Sequence, residues 1–391
     1  MPSDQPSEQR ADASSPRRPR LTPPIADIRR AVRAALHLPA GHGVGDSGRH
    51  AEPAGVAPGV SPETPPSRTG AAAAPPSNAP LALVALSGGA DSLALAAATA
   101  FEAPRGGWRA GAVIVDHGLQ DASAEVAARA AAQARELGLD PVLVRRVDVD
   151  AAGGDGPEAS ARAARYAALD AAADETGAAL VLLGHTLDDQ AETVLLGLAR
   201  GSGAASLSGM APASGRYARP LLGIRRATTR QACLDAGLDP WDDPHNSDSA
   251  YARVRVRERV LPVLEAELGP GIAEALGRTA EQLREDEQAF DDQIDEFIEE
   301  VCAPAEAGIA ISAGWLAANP AAIRQRVIRH VVHSEFGVAL SRTQTLEVAR
   351  LVTDWHGQGP IDLPAGVRAT RAGAHVVLST TGSTEVLPHD H

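Results

Sequence analysis

The chain has 391 residues, about two to three times the length of a typical domain, which predicts one large core with one or two smaller units. Apolar residues make up 44% of it but aromatics only 3%, with Ala abundant, a balance that favours closely packed helices in an α-rich or α/β protein over a sandwich of bulky strands. The net charge of −14 speaks against a nucleic-acid partner until it is mapped: residues 265–306 alone contribute −12, leaving −2 for everything else and room for a basic face.

In chain order, residues 1–80 are rich in Pro, Ser, Gly and Ala without sustained periodicity and read as a disordered, low-complexity extension. Within it, IADIRRAVRAAL at 25–36 has the spacing of a short amphipathic helix. Arg10, Arg17, Arg18, Arg20, Arg29 and Arg30 fit a solvated tail better than an RNA contact. The N-terminus lacks an apolar signal segment, and no run reaches the roughly 18 apolar residues that cross a bilayer, so a soluble, cytoplasmic protein with no membrane partner is expected.

From Leu81 the texture changes. LALVAL at 81–86, AGAVIV at 110–115, PVLVRRV at 141–147 and AALVLL at 178–183 alternate with Ala-rich helical stretches, which predicts a parallel sheet covered on both faces over 81–225. Ligands in such folds collect at the carboxyl ends of the strands, where Ser87, Asp116 and His185 fall. Residues 226–314 read as a linking segment with acidic helix over 259–301, carrying Leu276, Leu283, Phe290 and Phe297 at seven-residue spacing. A small α/β unit over 315–391 is expected to hold a helix around Ile323, Val327, Ile328 and Val331, a second over 344–352, and strands at 360–363 and 375–378.

Four constellations carry chemistry. In the first, Ser87, Gly88, Gly89, Ala90, Asp91 and Ser92 join a strand to a helix: two glycines let backbone N–H groups approach an anion, hydroxyls add donors, and the helix start adds partial positive charge. All 36 basic residues are Arg, so this phosphate cradle lacks the lysine of a Walker loop, and Asp91 makes sense there as a Mg²⁺ ligand. In the second, GHTLDDQAET, His185 and Asp189 share a face at i, i+4, as do Asp188 and Glu192; Mg²⁺ coordination is one reading and stabilisation of a helix N-terminus another. The third, Asp116 and His117, serves equally to wrap a nucleotide base or ribose or to stabilise a turn. The fourth, Arg162 and Arg165, could clamp an α-phosphate or pyrophosphate, while Glu158 and Arg162 could equally form a surface pair.

Taken in order and spacing, SGGADS, VDHGLQDAS, EASARAARY and GHTLDDQAET resemble the PP-loop ATP pyrophosphatases. WDDPHNSDSAYARVRVRERVLPVL at 241–264, with Asp243, Asn246, Arg253 and Arg257, is similar to the post-catalytic segment of one branch, the tRNA(Ile)-lysidine synthases. The resemblance implies a PP-loop catalytic domain over 81–225, a post-catalytic segment over 226–314 and an accessory substrate- and tRNA-binding domain over 315–391. It implies adenylation by ATP of the wobble cytidine in tRNA(Ile) with a CAU anticodon, with release of pyrophosphate. Attack by free L-lysine on C2 and departure of AMP follow. By the same carry-over residues 87–92 bind ATP, with Asp116, His117 and His185 nearby; Asp91 and Asp189 hold Mg²⁺, Arg162 meets phosphate, and Asp188 and Glu192 are neighbours. Arg253 and Arg257 meet tRNA or the reaction centre. Gln120, Val254 and His245 depart from the pattern. A related tRNA thiolase would need more than the isolated Cys233 and Cys302, an amide-forming synthetase an ammonia source, and a non-catalytic nucleotide-binding module could dispense with the acids.

Overall fold

The computed structural model describes residues 21–37, 74–118, 123–147, 157–201, 203–243, 248–305 and 308–380; Gln120, His245, Asn246 and most of the 1–80 extension lie outside these. Contacts divide the chain into two compact units, Met1–Leu283 and Arg284–His391. The expected 226–314 segment is therefore shared between them.

The first unit contains α1 (Pro23–Leu36), β1 (Leu81–Ala85), α2 (Ala90–Glu102), β2 (Arg109–Asp116), α3 (Ser123–Glu136), β3 (Val142–Arg146), α4 (Pro157–Thr176), β4 (Leu180–Leu182), α5 (Leu187–Ala199), α6 (Ala204–Leu207), β5 (Ala213–Ser214), β6 (Tyr217–Ala218), α7 (Arg226–Ala236), α8 (Ala252–Arg255) and α9 (Leu261–Leu268). Then α10 (Ile272–Val301) carries the chain into the second unit. The sheet order is β3-β2-β1-β4-β6-β5, with β1 parallel to both β2 and β4. Period-two alternation divides β1 between two cores: Ala82 and Val84 face α1, α2, α3 and α7, while Leu81, Leu83 and Ala85 face Leu169, Ala172 and Ala173 of α4. The four expected strands are present, but β3 is an edge strand with Val144 42% exposed, and so is not buried on both faces. Because the chain winds outward through β2 and β3 and returns to β4, the strand order reverses between β1 and β4, and the ends of those two strands open the crevice where ligands bind.

The helix expected at 25–36 is α1, which begins at Pro23 with its ring at the first turn, where no amide hydrogen is needed. Ile25, Ile28, Val32 and Leu36 are buried in the core that also contains α2 and α7. The helical reading of 259–301 is interrupted: Gly269 and Gly271, both at φ 97°, separate α9 from α10. ARVRVRERV, which alternates like a strand, is helical, with a π-helical turn at Val256–Val260. Val254 and Val256 are buried, so tertiary packing overrides the period-two pattern.

In the second unit β7 (Cys302–Ala305), β8 (Gly308–Ser312), β9 (Ile361–Asp362), β10 (Val367–Ala372) and β11 (His375–Thr380) form an antiparallel sheet in the order β7-β8-β11-β10-β9. The helices α11 (Ala313–Ala318), α12 (Ala321–Phe336) and α13 (Arg342–Thr353), together with Ile294 and Val301 of α10, close its core. The two helices and the strands at 361–362 and 375–380 match expectation. β7, β8 and β10 were not legible, because their inward positions include small residues such as Ala310 and Ala369, too weakly apolar to mark a strand.

Candidate active site

Three chain segments meet at the mouth of the β1/β4 crevice. After β1, Gly88 takes φ 85°, a left-handed conformation that only glycine adopts without strain, and its carbonyl accepts from Trp241 N–H at 3.0 Å. The Ser92 hydroxyl closes the loop: it donates to the Gly89 carbonyl at 3.0 Å and accepts from Ser87 N–H at 3.2 Å, so the Ser87 hydroxyl, 3.1 Å away, is the donor of that pair. The loop is thus held open at the N-terminus of α2. Gly184, after β4, lies close behind it: a Cβ there would stand 3.2 Å from Ser92 N and 3.3 Å from the Asp91 carbonyl carbon.

The second segment is the start of α5. Thr186 is its N-cap in a capping box with Asp189, whose Oδ2 accepts from Thr186 N–H and from its hydroxyl, both at 2.8 Å. The helix-stabilising reading is realised in Asp189, which caps the helix through Oδ2 and leaves Oδ1 to Arg226 beside the cavity. His185 precedes the helix, so it does not share a helical face with Asp189. Asp188 turns away from Glu192 to accept from Arg226 N–H at 2.7 Å.

The third segment, α7, supplies what spacing alone did not reveal. Arg226 reaches three carboxylates at once: Nη2 to Asp189 Oδ1 at 2.6 Å, Nη1 to Glu192 at 3.3 Å and Nε to Asp91 Oδ2 at 3.5 Å. Thr229 donates its hydroxyl to Asp91 Oδ1. Arg225 grips Asp188 at 3.6 Å and also Glu265 and Glu274. Glu192, fully buried, is held further by Arg257, at 2.7 and 3.1 Å, and by Arg253 at 3.5 Å. Burial pushes the Asp91 carboxyl up, against the pull of Thr229 and Arg226. Burial also works against ionisation of Asp189, but Arg226 and the Thr186 donors outweigh it and hold that carboxyl below its ordinary value. Burial pushes His185 down to about 4, despite Asp189, so it is neutral at pH 7.

Two adjoining cavities open here. A polar one of about 560 Å³ is lined by Ser87, Asp91, Ser92, His185, Asp189 and Arg257 among others. A more apolar one of about 340 Å³ reaches Val113, Val115, Asp116, His117, Val126 and Leu169. Ser87, Gly89, Arg165, Trp241 and Asp243 line both. Asp116 is almost fully buried and accepts from Gly118 N–H at 2.9 Å, which is the turn-stabilising role, while His117 presents a buried Nδ1 without a protein partner, as does His185. Arg162 lies outside both cavities: it is exposed, 5.0 Å from the centre of the Tyr166 ring. It is Arg165, one helical turn before the buried Leu169 on α4, that lines the cavities. Of the two arginines in the clamp reading only Arg165 reaches inward, because the depth of the helix, which spacing does not encode, decides it.

For Mg²⁺, the fit rests on Asp91 Oδ2 and Asp189 Oδ1, two hard oxygen donors near enough to touch a single guanidinium beside a phosphate loop. Among the described residues no cluster of three or more His, Cys, Asp or Glu forms a complete metal cage. Two carboxylates completed by phosphate oxygens and water are the donor set Mg²⁺ ordinarily uses.

A PP-loop domain family matches residues 67–264, and the TilS substrate binding domain family matches 311–375. A tRNA(Ile)-lysidine synthase from Leifsonia xyli subsp. xyli is 61% identical over 345 residues, 88% of this chain and 97% of that one. The chain belongs to the tRNA(Ile)-lysidine synthase family. Family members from Streptomyces coelicolor (54% identical, 77% of this chain and 85% of that one) and Salinispora tropica (46%, 93% and 98%) agree along both units. Among solved structures, a U34-tRNA thiolase from Methanococcus maripaludis with its [4Fe-4S] cluster aligns with 53% of this chain and 73% of that one, at TM-score 0.45 and 19% identity.

Proposed function

We propose that the chain ligates free L-lysine to C2 of the wobble cytidine of tRNA(Ile) with a CAU anticodon, in the cytoplasm, using ATP and releasing AMP and pyrophosphate. One observation carries this reading: a glycine phosphate loop and paired carboxylates converge at the β1/β4 switch point of a chain whose similarity to lysidine synthases spans both units. The ATP triphosphate lies against the loop of residues 87–92 and the N–H groups that open α2, and the adenosine fills the apolar cavity, where the free His117 Nδ1 can meet it. Arg165, between the two cavities, faces the α-phosphate. Asp91 and Asp189 would hold Mg²⁺, which offsets phosphate charge.

In the first step the cytidine C2 oxygen bonds to the α-phosphorus, the bond to the β-phosphate oxygen breaks, and pyrophosphate leaves. In the second the lysine amine bonds to C2, the C2–O bond breaks, AMP departs and the amine releases a proton. Adenylation is needed because the original C2 oxygen is a poor leaving group. Arg257 lines the polar cavity and, with Arg253, is pinned to Glu192, so the pair would face tRNA or the reaction centre.

Radiolabelled lysine should enter unmodified tRNA(Ile) with a CAU anticodon when ATP and Mg²⁺ are supplied, and elongator tRNA(Met) should stay unlabelled. Cleavage of ATP to AMP without lysine transfer would keep the adenylation chemistry and discard the acceptor or the nucleophile.

A further inference from the structure

The three carboxylates at the crevice are not left facing one another. Glu192 is fully buried and Asp91 and Asp189 are partly buried, and mutual repulsion among three such carboxylates makes their joint ionisation costly unless a cation lies among them. Arg226 is that cation. Its backbone is fixed, since its N–H donates to Asp188 Oδ2 at 2.7 Å at the first position of α7, but its side chain extends to the cavity. Only one of its contacts is short, 2.6 Å to Asp189; those to Glu192 and Asp91 are 3.3 and 3.5 Å.

Each acid keeps other partners. Glu192 retains Arg257 on both oxygens and Arg253 beside them. Asp189 retains the two Thr186 donors on Oδ2, and Asp91 retains Thr229 on Oδ1. If the Arg226 side chain swung away, two oxygens would be left without a close donor: Asp91 Oδ2 and Asp189 Oδ1, with Arg257 at 3.8 Å from the latter. These are the oxygens that fit the metal.

We propose that Arg226 is a displaceable counter-ion that holds the Mg²⁺ position between Asp91 and Asp189 until nucleotide arrives, so that metal enters with ATP and not before it. This rests on the reading of those two aspartates as Mg²⁺ ligands. When the triphosphate brings the metal in, the guanidinium exchanges two carboxylates for phosphate oxygens across the same cavity, and no charge is left unpaired. Arg226 is therefore a positioning residue: it bridges the two acids across the position the metal would take.

The test uses Mn²⁺ as the probe, with free ion counted by electron paramagnetic resonance at mildly alkaline pH in the full chain without nucleotide. The wild-type protein should bind Mn²⁺ weakly, and Arg226→Met should bind it at least about tenfold more tightly. Asp91→Asn in the Arg226→Met background should abolish the gain. An arginine with a merely structural role predicts the opposite sign, weaker binding on removal. Equal or weaker binding by folded Arg226→Met overturns the proposal. If that variant does not fold without metal, Mn²⁺ should restore its melting transition, and Arg226→Lys, which keeps the charge but cannot bridge, should show an intermediate gain; no gain in Arg226→Lys also overturns it. With a non-hydrolysable ATP analogue, Asp91-dependent Mn²⁺ binding by the wild type but no gain in the variant removes this inference alone. Absence of such binding removes the Mg²⁺ reading as well.

Discussion

Arg162 and Arg165 are three positions apart on α4, and what separates them is depth. Arg165 lines both cavities and makes no hydrogen bond or ion pair to a described residue, whereas Arg162 is exposed and rests on the half-buried Tyr166. A cation facing developing phosphate charge in a sheltered crevice stabilises a transition state far more than an exposed one, by about 3 kcal/mol per donor. Arg165→Ala is therefore expected to lower ATP–pyrophosphate exchange about a hundredfold, and Arg162→Ala by less than about threefold; equal losses would return Arg162 to the site. His185 gives a second expectation. Its folded value of about 4 lies below the ordinary value near 6.5, so the unfolded chain binds the proton first and stability falls as pH drops through that window. Urea titrations from pH 7 to pH 4.5 should show a loss of roughly 2 kcal/mol in the wild type that His185→Asn removes, leaving the loss due to other groups.

At the scale of elements, the site is a junction of strand ends and helix starts, and its precision depends on close backbone approach. Gly184 lets the end of β4 sit against the first turn of α2. A methyl at Gly184 would press on backbone atoms of Asp91 and Ser92, which cannot rotate aside as a side chain could. Gly184→Ala should cost about 1–3 kcal/mol of stability and weaken ATP binding together, measured by melting and by nucleotide titration; a stability loss with unchanged ATP affinity would show that the loop tolerates the shift. The helix α1 belongs to the same scale. Its buried face of Ile25, Ile28, Val32 and Leu36 is part of the core against α2 and α7, the two helices that carry Asp91 and Arg226. The amphipathic spacing at 25–36 was legible; its packing against the phosphate-loop helix was not, since nothing in a helix's own sequence names its partner.

Across the molecule, charge is distributed unevenly. Most acids of α10, among them Glu296, Glu299 and Glu300, are exposed, while residues outside 265–306 are nearly balanced. For a protein that meets tRNA, this helix is a local source of repulsion, screened by salt. Replacing Glu296, Glu299 and Glu300 by Gln should tighten tRNA binding a few-fold at low salt and leave it unchanged at high salt, read by filter binding. A gain that persists in high salt would mean direct contact.

The sequence alone determined the parallel α/β unit, because four apolar runs buried among helices leave a strong periodic signal, and it determined the phosphate loop and the acid pair, because their chemistry is written in adjacent residues such as Gly88, Gly89, Asp91, Asp188 and Asp189. The tertiary structure alone decided how those acids are neutralised. Arg226, Thr229, Arg253 and Arg257 lie dozens of residues from their partners, and their pairing depends on how α7, α8 and the π-helical turn after it pack beside α2 and α5, which no local spacing records. It also decided that Arg165, and not Arg162, faces the cavity, and that Asp189 both caps a helix and turns an oxygen toward the site. Local sequence fixes which groups are present and which short segments they occupy; burial and distance, the quantities that set charge and reactivity, arise only when distant segments pack.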